Sequence, residues 1–584
     1  MSISIDNIAE KIIANNIDKH EALLSFERLS EDEKAQLVEK LKGLENHNAS
    51  NNKNLQVLPL LESVDERNLT EAQQAYINKL VGEFETFAPK SKENAQAGQK
   101  YLVDQRKTAN LKKCMKGLQF HLTYTKAEGA YLYDLDGNKY VDITGDNGVN
   151  IFGHQPKFIN QAIEKQSERG FPLVGYTEDL FKTAELFCEI TDHERMLFTQ
   201  SGTEAVMWAI RIARAATGKK KIVIFEGSYH GLSDTVLAIK GQRGESLALG
   251  LGMMQEFAEQ LIVLDYGNMD QLSIIEDNAD EIAGVLVEPI QSRHPYIQPL
   301  AFLQELRKLT IEKQMPLIFD EMITGFRACH RGAQGYFNIK ADIATYGKIP
   351  GGGMPTGMIA GAAKYMDLAD GGTFNFDDDS MPNMKRTLMA GTHTRNPMKI
   401  ATTLAILTEI KKRCTGKLNS DNCGCFQKDL NEKTRLMAVK INKHFVDKNL
   451  PIIIDQFSSL FKIRFTDGSH GLTRELLLCL MRMNGLETSV SGNFFLTTAH
   501  SDKDIQTIID VITKSADTLL NEGFFSPKEI VEIVLPQSID QSNSDIAETV
   551  EFNSQNNVSN HLDEIEQLKR LIKSDLQNFQ EGVI

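Results

Sequence analysis

Residues 315–358 read MPLIFDEMITGFRACHRGAQGYFNIKADIATYGKIPGGGMPTGM. Two apolar runs of strand character, Leu317–Phe319 and Ile343–Thr345, each end near a chemically useful residue. Asp320 closes the first. Lys348 follows the second and precedes three glycines. In open α/β sheets, ligands bind beyond the carboxyl ends of the strands, where both residues are expected. A lysine amine can form a Schiff base with the aldehyde of pyridoxal phosphate (PLP), and an acid can hold a proton on its pyridine nitrogen. Each residue also has an ordinary reading. An Asp closing a strand often caps a turn, and a Lys before glycines is usually a solvated loop residue. The rest of the chain decides between these readings.

From about residue 155 to 395, helical segments alternate with short apolar strands, which predicts an α/β fold with a mostly parallel sheet. FINQAIEKQSERG reads as a helix, and Ile222–Phe225 and Gly284–Val287 as strands. In LFTQSGTEAVMWAIRIARAATG a strand turns into a helix whose Ala205, Trp208, Ala209 and Ile212 share one face. Ser201, Gly202 and Thr203 stand at that turn. Hydroxyls and backbone amides at a helix start can cradle a phosphate, although many such residues are plain caps. Tyr229, in the loop EGSYHGLSD, can stack on a flat ring or pack within the loop. GAYLYDLDGNKYVDI reads as a β-hairpin turning at Asp136-Gly137. Near the other end, LFKIRF and FFLTTAHS read as strands and DKDIQTIIDVITKSADTLL as a helix.

The motifs QSGTEA, GSYHG, VEPIQ, DEMITGFR, YGKIPGGGMPTG and AGTHTRNP occur in the order found in class III aminotransferases of the PLP fold-type I superfamily, and residues 115–520 resemble that family. The branch is similar to glutamate-1-semialdehyde aminomutase. GVNIFGH, RIARAATGKKKIVIFEGSYHG, LDYGN, ADIATYGKIPGGGMP and DGGTFNFDDDS further resemble aminotransferase domains of hybrid polyketide–nonribosomal peptide synthetases of the iturin/mycosubtilin type. No adenylation, ketosynthase or condensation motif accompanies them, so a free-standing version is expected.

The resemblance implies PLP as cofactor and assigns roles by position. Lys348 matches the Schiff-base lysine and Asp320 the acid at the pyridine nitrogen, the two catalytic residues. Ser201, Gly202 and Thr203 match the phosphate cup, Tyr229 the ring-stacking aromatic with His230 beside it, and Met322 the apolar residue on the opposite ring face. Thr392 matches a threonine that reaches the phosphate of the partner subunit, which implies a homodimer. Gln291 and Arg293 fall at the expected substrate pocket. The family aminomutase carries a Glu in the stretch before its AHS motif, whereas this chain has Gly492 and Asn493 in VSGNFFLTTAHS. The expected activity is amino transfer from an amino acid donor to a carbonyl acceptor, with a β-keto or aldehyde chain on an acyl carrier protein as the expected acceptor. An intramolecular aminomutase and a non-catalytic PLP-fold scaffold are the alternatives.

The 584 residues suffice for a large core and more than one domain. Expected divisions are a helical module at 1–45, a polar linker at 46–67, a helical lead-in at 68–114, the aminotransferase body at 115–525, a disordered linker at 526–560 and a final helix at 561–584. Within the body, the large PLP-binding domain spans about 165–395, and the small α+β domain combines 115–164 with 396–525. A net charge of −15 disfavours nucleic acid and anionic membrane as partners. No apolar run reaches the roughly 20 residues of a membrane helix, and the N-terminus lacks the order of a signal peptide. Seven scattered cysteines suit a cytoplasmic protein better than a disulfide framework. Cys414, Cys423 and Cys425 cluster, but no normal zinc spacing or fourth ligand is evident, so no metal is expected.

Overall fold

The computed structural model describes residues 69–104, 110–171, 175–414, 425–466, 471–489 and 491–525. The expected terminal modules, both polar linkers and Cys423 lie outside these residues. A seven-stranded mixed sheet forms the centre, in the order Arg195–Thr199, Gly357–Gly361, Ile343–Gly347, Leu317–Asp320, Ile282–Val287, Lys221–Phe225 and Leu261–Leu264. The Gly357–Gly361 strand runs antiparallel to both neighbours, and every other adjacent pair is parallel. Three adjacent strands, Ile282–Val287, Leu317–Asp320 and Ile343–Gly347, are buried along their whole length. Helices therefore have to cover both faces, and apolar runs rather than alternation are what such strands require. The helix Gly202–Thr217 covers one face through the expected stripe, with Ala205, Trp208, Ala209 and Ile212 all buried.

In the register of the sheet, Phe319 pairs with Ala344 and Asp320 with Thr345. The two strands thus run side by side and in step, so Asp320 and Lys348 leave the sheet at the same edge. The predicted hairpin forms as Tyr131–Asp134 with Lys139–Asp142, and a further strand, Tyr124–Glu128, extends it. Its last strand is joined in parallel by Leu486–Glu487, so segments far apart in sequence share one small sheet. A third sheet combines Ile452–Phe457, Leu460–Phe465 and Asn493–Phe495.

Two sequence expectations need correction. The lead-in at 68–114, read as helical, divides into Glu71–Phe87 and Pro89–Gly98, and residues 102–104 are not helical. Pro89 lacks an amide and fits the first turn of a new helix, while Gly98 is a weak continuation. The first helix starts on a capping box between Thr70 and Gln73, and Gln73 Nε2 also donates to Gly523 O at 2.6 Å. Losing such a cap costs about 1 kcal/mol. The second correction concerns FFLTTAHS, whose strand stops at Phe495. The Thr497 amide donates to His500 Nδ1 at 3.0 Å, and Ser501 then caps the helix Asp502–Asn521. A side chain takes the amide that a longer strand would have paired.

Candidate active site

Asp320 is buried where its strand ends. His230 Nδ1 lies 2.8 Å from its Oδ2. The Met322 amide and the Thr345 hydroxyl each donate to its Oδ1 at 3.2 Å. These bonds fix the orientation of the carboxylate. With the His230 proton on Nδ1 facing the acid, Nε2 is left buried and without a partner among the described residues. A buried orphan of this kind is a cost that a bound group can relieve.

Sequence reasoning missed Glu288. It is buried, its Oε2 accepts from the Tyr229 amide at 3.0 Å, and its Oε1 accepts from the Ser292 amide at 3.3 Å. Burial raises its pKa, with the Asp320 charge adding to the rise and His230 opposing it. The available signal was the one that singled out Asp320, an acid directly after an apolar strand. Here that strand is Ile282–Val287, within the VEPIQ motif.

Lys348 is held in a backbone conformation that side chains rarely adopt, with φ 58° and ψ −102°. Such a residue costs on the order of 1–3 kcal/mol and persists only when its surroundings enforce it. Buried Gly347 and Ile349 flank it, the Gly351 amide returns to Lys348 O at 2.9 Å, and Thr402 Oγ1 holds Gly351 O at 2.8 Å. Desolvation pulls the amine below the ordinary lysine range, while the charges of Asp320 and Glu288 act in the opposite sense. The effect is a larger share of neutral, nucleophilic amine near neutral pH.

The helix Gly202–Thr217 begins beside these groups. Ser201 Oγ accepts from the Glu204 amide at 3.2 Å and Ser201 O from the Ala205 amide at 3.0 Å, which leaves the Gly202 and Thr203 amides as open donors among the described residues. Thr203 Oγ1 accepts from the Leu232 amide at 3.3 Å, tying the GSYHG loop to the helix start. Met322 wedges between the cup and the lysine strand. A Cβ on Gly202 or on Gly347 would lie 2.8 Å from its Sδ, so a side chain at either position would displace the Met322 thioether.

The family profile described as "Aminotransferase class-III" matches residues 115–439. This chain belongs to the class III aminotransferases. The aminotransferase is 36% identical over 348 residues to "Glutamate-1-semialdehyde 2,1-aminomutase 2" of Lachnoclostridium phytofermentans, covering 59% of this chain and 76% of that one. Among solved structures, an omega-transaminase from Sphaerobacter thermophilus matches with a TM-score of 0.64 at 24% identity, covering 73% of this chain and 97% of that one. A β-phenylalanine aminotransferase from Variovorax paradoxus matches with a TM-score of 0.64 at 25% identity, covering 77% of this chain and 98% of that one. The chain has the PLP fold-type I architecture expected from its sequence, and its family is PLP-dependent.

The residues of this aminotransferase fit that cofactor. An acid braced by His230 suits a protonated ring nitrogen, open amides at a long helix suit a phosphate, and a desolvated lysine suits an aldehyde. Tyr229 is exposed at its ring and has the Arg293 guanidinium 5.5 Å from the ring centroid. Gln291 is buried with its amide already engaged: Nε2 donates to Glu226 O at 2.8 Å, and Oε1 faces His294 Nδ1 at 3.1 Å. It braces the loop that carries Tyr229. Thr392 is exposed in the irregular segment 371–396, and a Cβ on its neighbour Gly391 would lie 3.0 Å from Gln200 Nε2.

Arg327, from the TGFR motif, is only 1% exposed and has no acidic partner among the described residues. It donates to Ser459 Oγ at 2.9 Å and to Gly148 O, and stacks 4.6 Å from the Phe495 ring centroid. Burial brings its pKa down to about 9. Its charge contributes to the lowering at Lys348. No helix among the described residues is long and apolar enough to cross a membrane.

Proposed function

We propose that this aminotransferase moves an amino group from an amino acid donor to the carbonyl of an acyl chain tethered to a carrier protein. The observation that carries amino transfer is the braced Asp320 carboxylate at the same sheet edge as the desolvated amine of Lys348. PLP, when bound, supplies the aldehyde that carries the amino group and the ring that accepts electrons. Asp320 holds a proton at the pyridine nitrogen, and His230 holds Asp320 in orientation. The Gly202 and Thr203 amides bind the phosphate. Lys348 Nζ would take the proton from the donor Cα and deliver it to the cofactor carbon that carries the nitrogen, a role suited to an amine whose pKa is lowered.

One observation favours transfer between two molecules over an aminomutase reaction. In the stretch where the aminomutase carries its Glu, this chain has Gly492, with φ 69°, and Asn493, neither of them an acid. The carrier-bound acceptor is supported by the resemblance to synthase-embedded domains. The test supplies wild-type enzyme with a donor amino acid and either a β-keto or aldehyde thioester on a carrier protein or the corresponding free acid. The expected result is keto acid and aminated acyl chain in equal amounts, with the tethered chain turned over at least about tenfold faster, a difference of about 1.4 kcal/mol. Equal or better use of the free acid contradicts the carrier proposal. Amination without keto acid release contradicts intermolecular transfer.

A homodimer completes the proposal, in a cytoplasmic setting that suits the free cysteines. The segment carrying Thr392 leaves Phe376 91% exposed and Leu388 80% exposed, with Met381 and Met384 also open. So much apolar surface in one segment suits burial against a second copy. If Thr392 serves the partner's phosphate, Lys348→Ala and Thr392→Ala chains, each weak alone, form mixed dimers with one intact site. Mixing them is expected to restore roughly a quarter of wild-type activity, since half the dimers are mixed and each has one of two sites. No gain on mixing, with exchange verified by mass, contradicts the arrangement.

A further inference from the structure

We infer that His330, Cys414 and Cys425 form the protein part of a divalent zinc site, separate from the PLP machinery. Cys414 follows the helix Pro397–Arg413 as its C-cap, and Cys425 precedes the helix Phe426–Asp447 as its N-cap. His330 comes from the loop after the TGFR motif. Three segments therefore converge on one point. The two Sγ atoms are 3.2 Å apart, His330 Nδ1 is 3.0 Å from Cys425 Sγ, and the three ligand atoms lie within 4.8 Å of one another.

The chemistry of the set is that of a borderline-soft cation. Two thiolates and an imidazole suit zinc, whereas carboxylate and carbonyl oxygens would suit magnesium or calcium. With Zn–S about 2.3 Å and Zn–N about 2.0 Å, tetrahedral edges are about 3.8 Å between sulfurs and 3.5 Å between sulfur and nitrogen. The observed separations are about half an ångström shorter, and small rotations about the Cα–Cβ bonds of the cysteines supply the difference. His330 and Cys425 are buried, whereas Cys414 is partly exposed, so the site has an entry. Three protein ligands leave one tetrahedral position, whose donor is not among the described residues.

Such a site would clamp two helices to the segment that follows Asp320. It binds zinc by replacing the thiol protons, which leave to solvent, so no electron changes hands. The full-length protein, expressed in zinc-replete medium and dialysed with a thiol reductant, is expected to retain about one zinc per chain by elemental analysis. Cobalt(II) in its place should give the intense near-ultraviolet sulfur-to-metal band and the visible bands of a tetrahedral site. Cys414→Ser/Cys425→Ser and His330→Gln should each hold less than about a tenth of that metal. A strong chelator should lower the wild-type melting temperature by about 5 °C and leave the double variant unmoved. The site is overturned if reduced wild-type protein holds no zinc and gives no cobalt–thiolate band, including the case where the pair is found as a disulfide. It is also overturned if the variants retain wild-type metal content. The wild-type cobalt spectrum decides the matter even if a variant does not fold.

Discussion

Lys348→Ala is expected to reduce amino transfer by at least about a thousandfold while leaving the fold intact. The amine has two duties, attachment to the cofactor and proton movement at the substrate Cα, and proton transfer alone is worth about 10²–10⁴ in rate. No other described lysine follows this strand at the sheet edge where Asp320 emerges. The backbone adds a second, independent expectation. At φ 58° and ψ −102° any residue with a Cβ is strained, so alanine keeps the strain. Lys348→Gly should be equally inactive yet more stable than Lys348→Ala by about 1 kcal/mol. Turnover assays, denaturant melts and borohydride trapping of the cofactor check these outcomes. A variant that still fixes the cofactor at the wild-type stoichiometry would mean that another lysine is the attachment point.

Asp320→Asn is expected to retain cofactor but lose about two to three orders of magnitude in kcat. Removing a preorganised group that stabilises charge developing in the transition state costs about 2.7–4 kcal/mol in the barrier, about 10²–10³ in kcat. Asparagine can still accept from the Met322 amide and the Thr345 hydroxyl. Its amide group would then face His230 Nδ1, donor against donor, unless the imidazole moves its proton to Nε2. The ring nitrogen loses the charge that keeps it protonated, while the phosphate cup is untouched. The loss should therefore fall on kcat far more than on cofactor retention, which is read by dialysis and absorbance. Near-normal kcat would remove Asp320 from the role assigned to it.

Much of this architecture was legible in the sequence for a physical reason. Strands buried on both faces must read as apolar runs, and a polar residue at the end of such a run leaves the sheet at a known edge. Asp320 and Lys348 were found in that way, and the buried stripe of the helix Gly202–Thr217 by its period. Glu288 carried the same signature, but an acid after a strand is common, and only the fold brings it to the Tyr229 amide. Arg327 could not be read, because nothing local tells a buried arginine without an acid from a solvated one. The cysteines that cluster in sequence lacked a visible further ligand, and His330 is brought to them only by the packing of the helices. The early end of FFLTTAHS is another tertiary decision, made where His500 takes the Thr497 amide.

The most direct test of the central claim is a single turnover of the PLP-loaded enzyme with a donor amino acid and no acceptor. Wild type is expected to lose the absorbance of its lysine-bound cofactor and to release about one keto acid per loaded site, because the donor's nitrogen stays behind and ping-pong transfer stops halfway. Loss of the absorbance without keto acid, or an unchanged spectrum across a panel of amino donors, would contradict amino transfer between separate molecules.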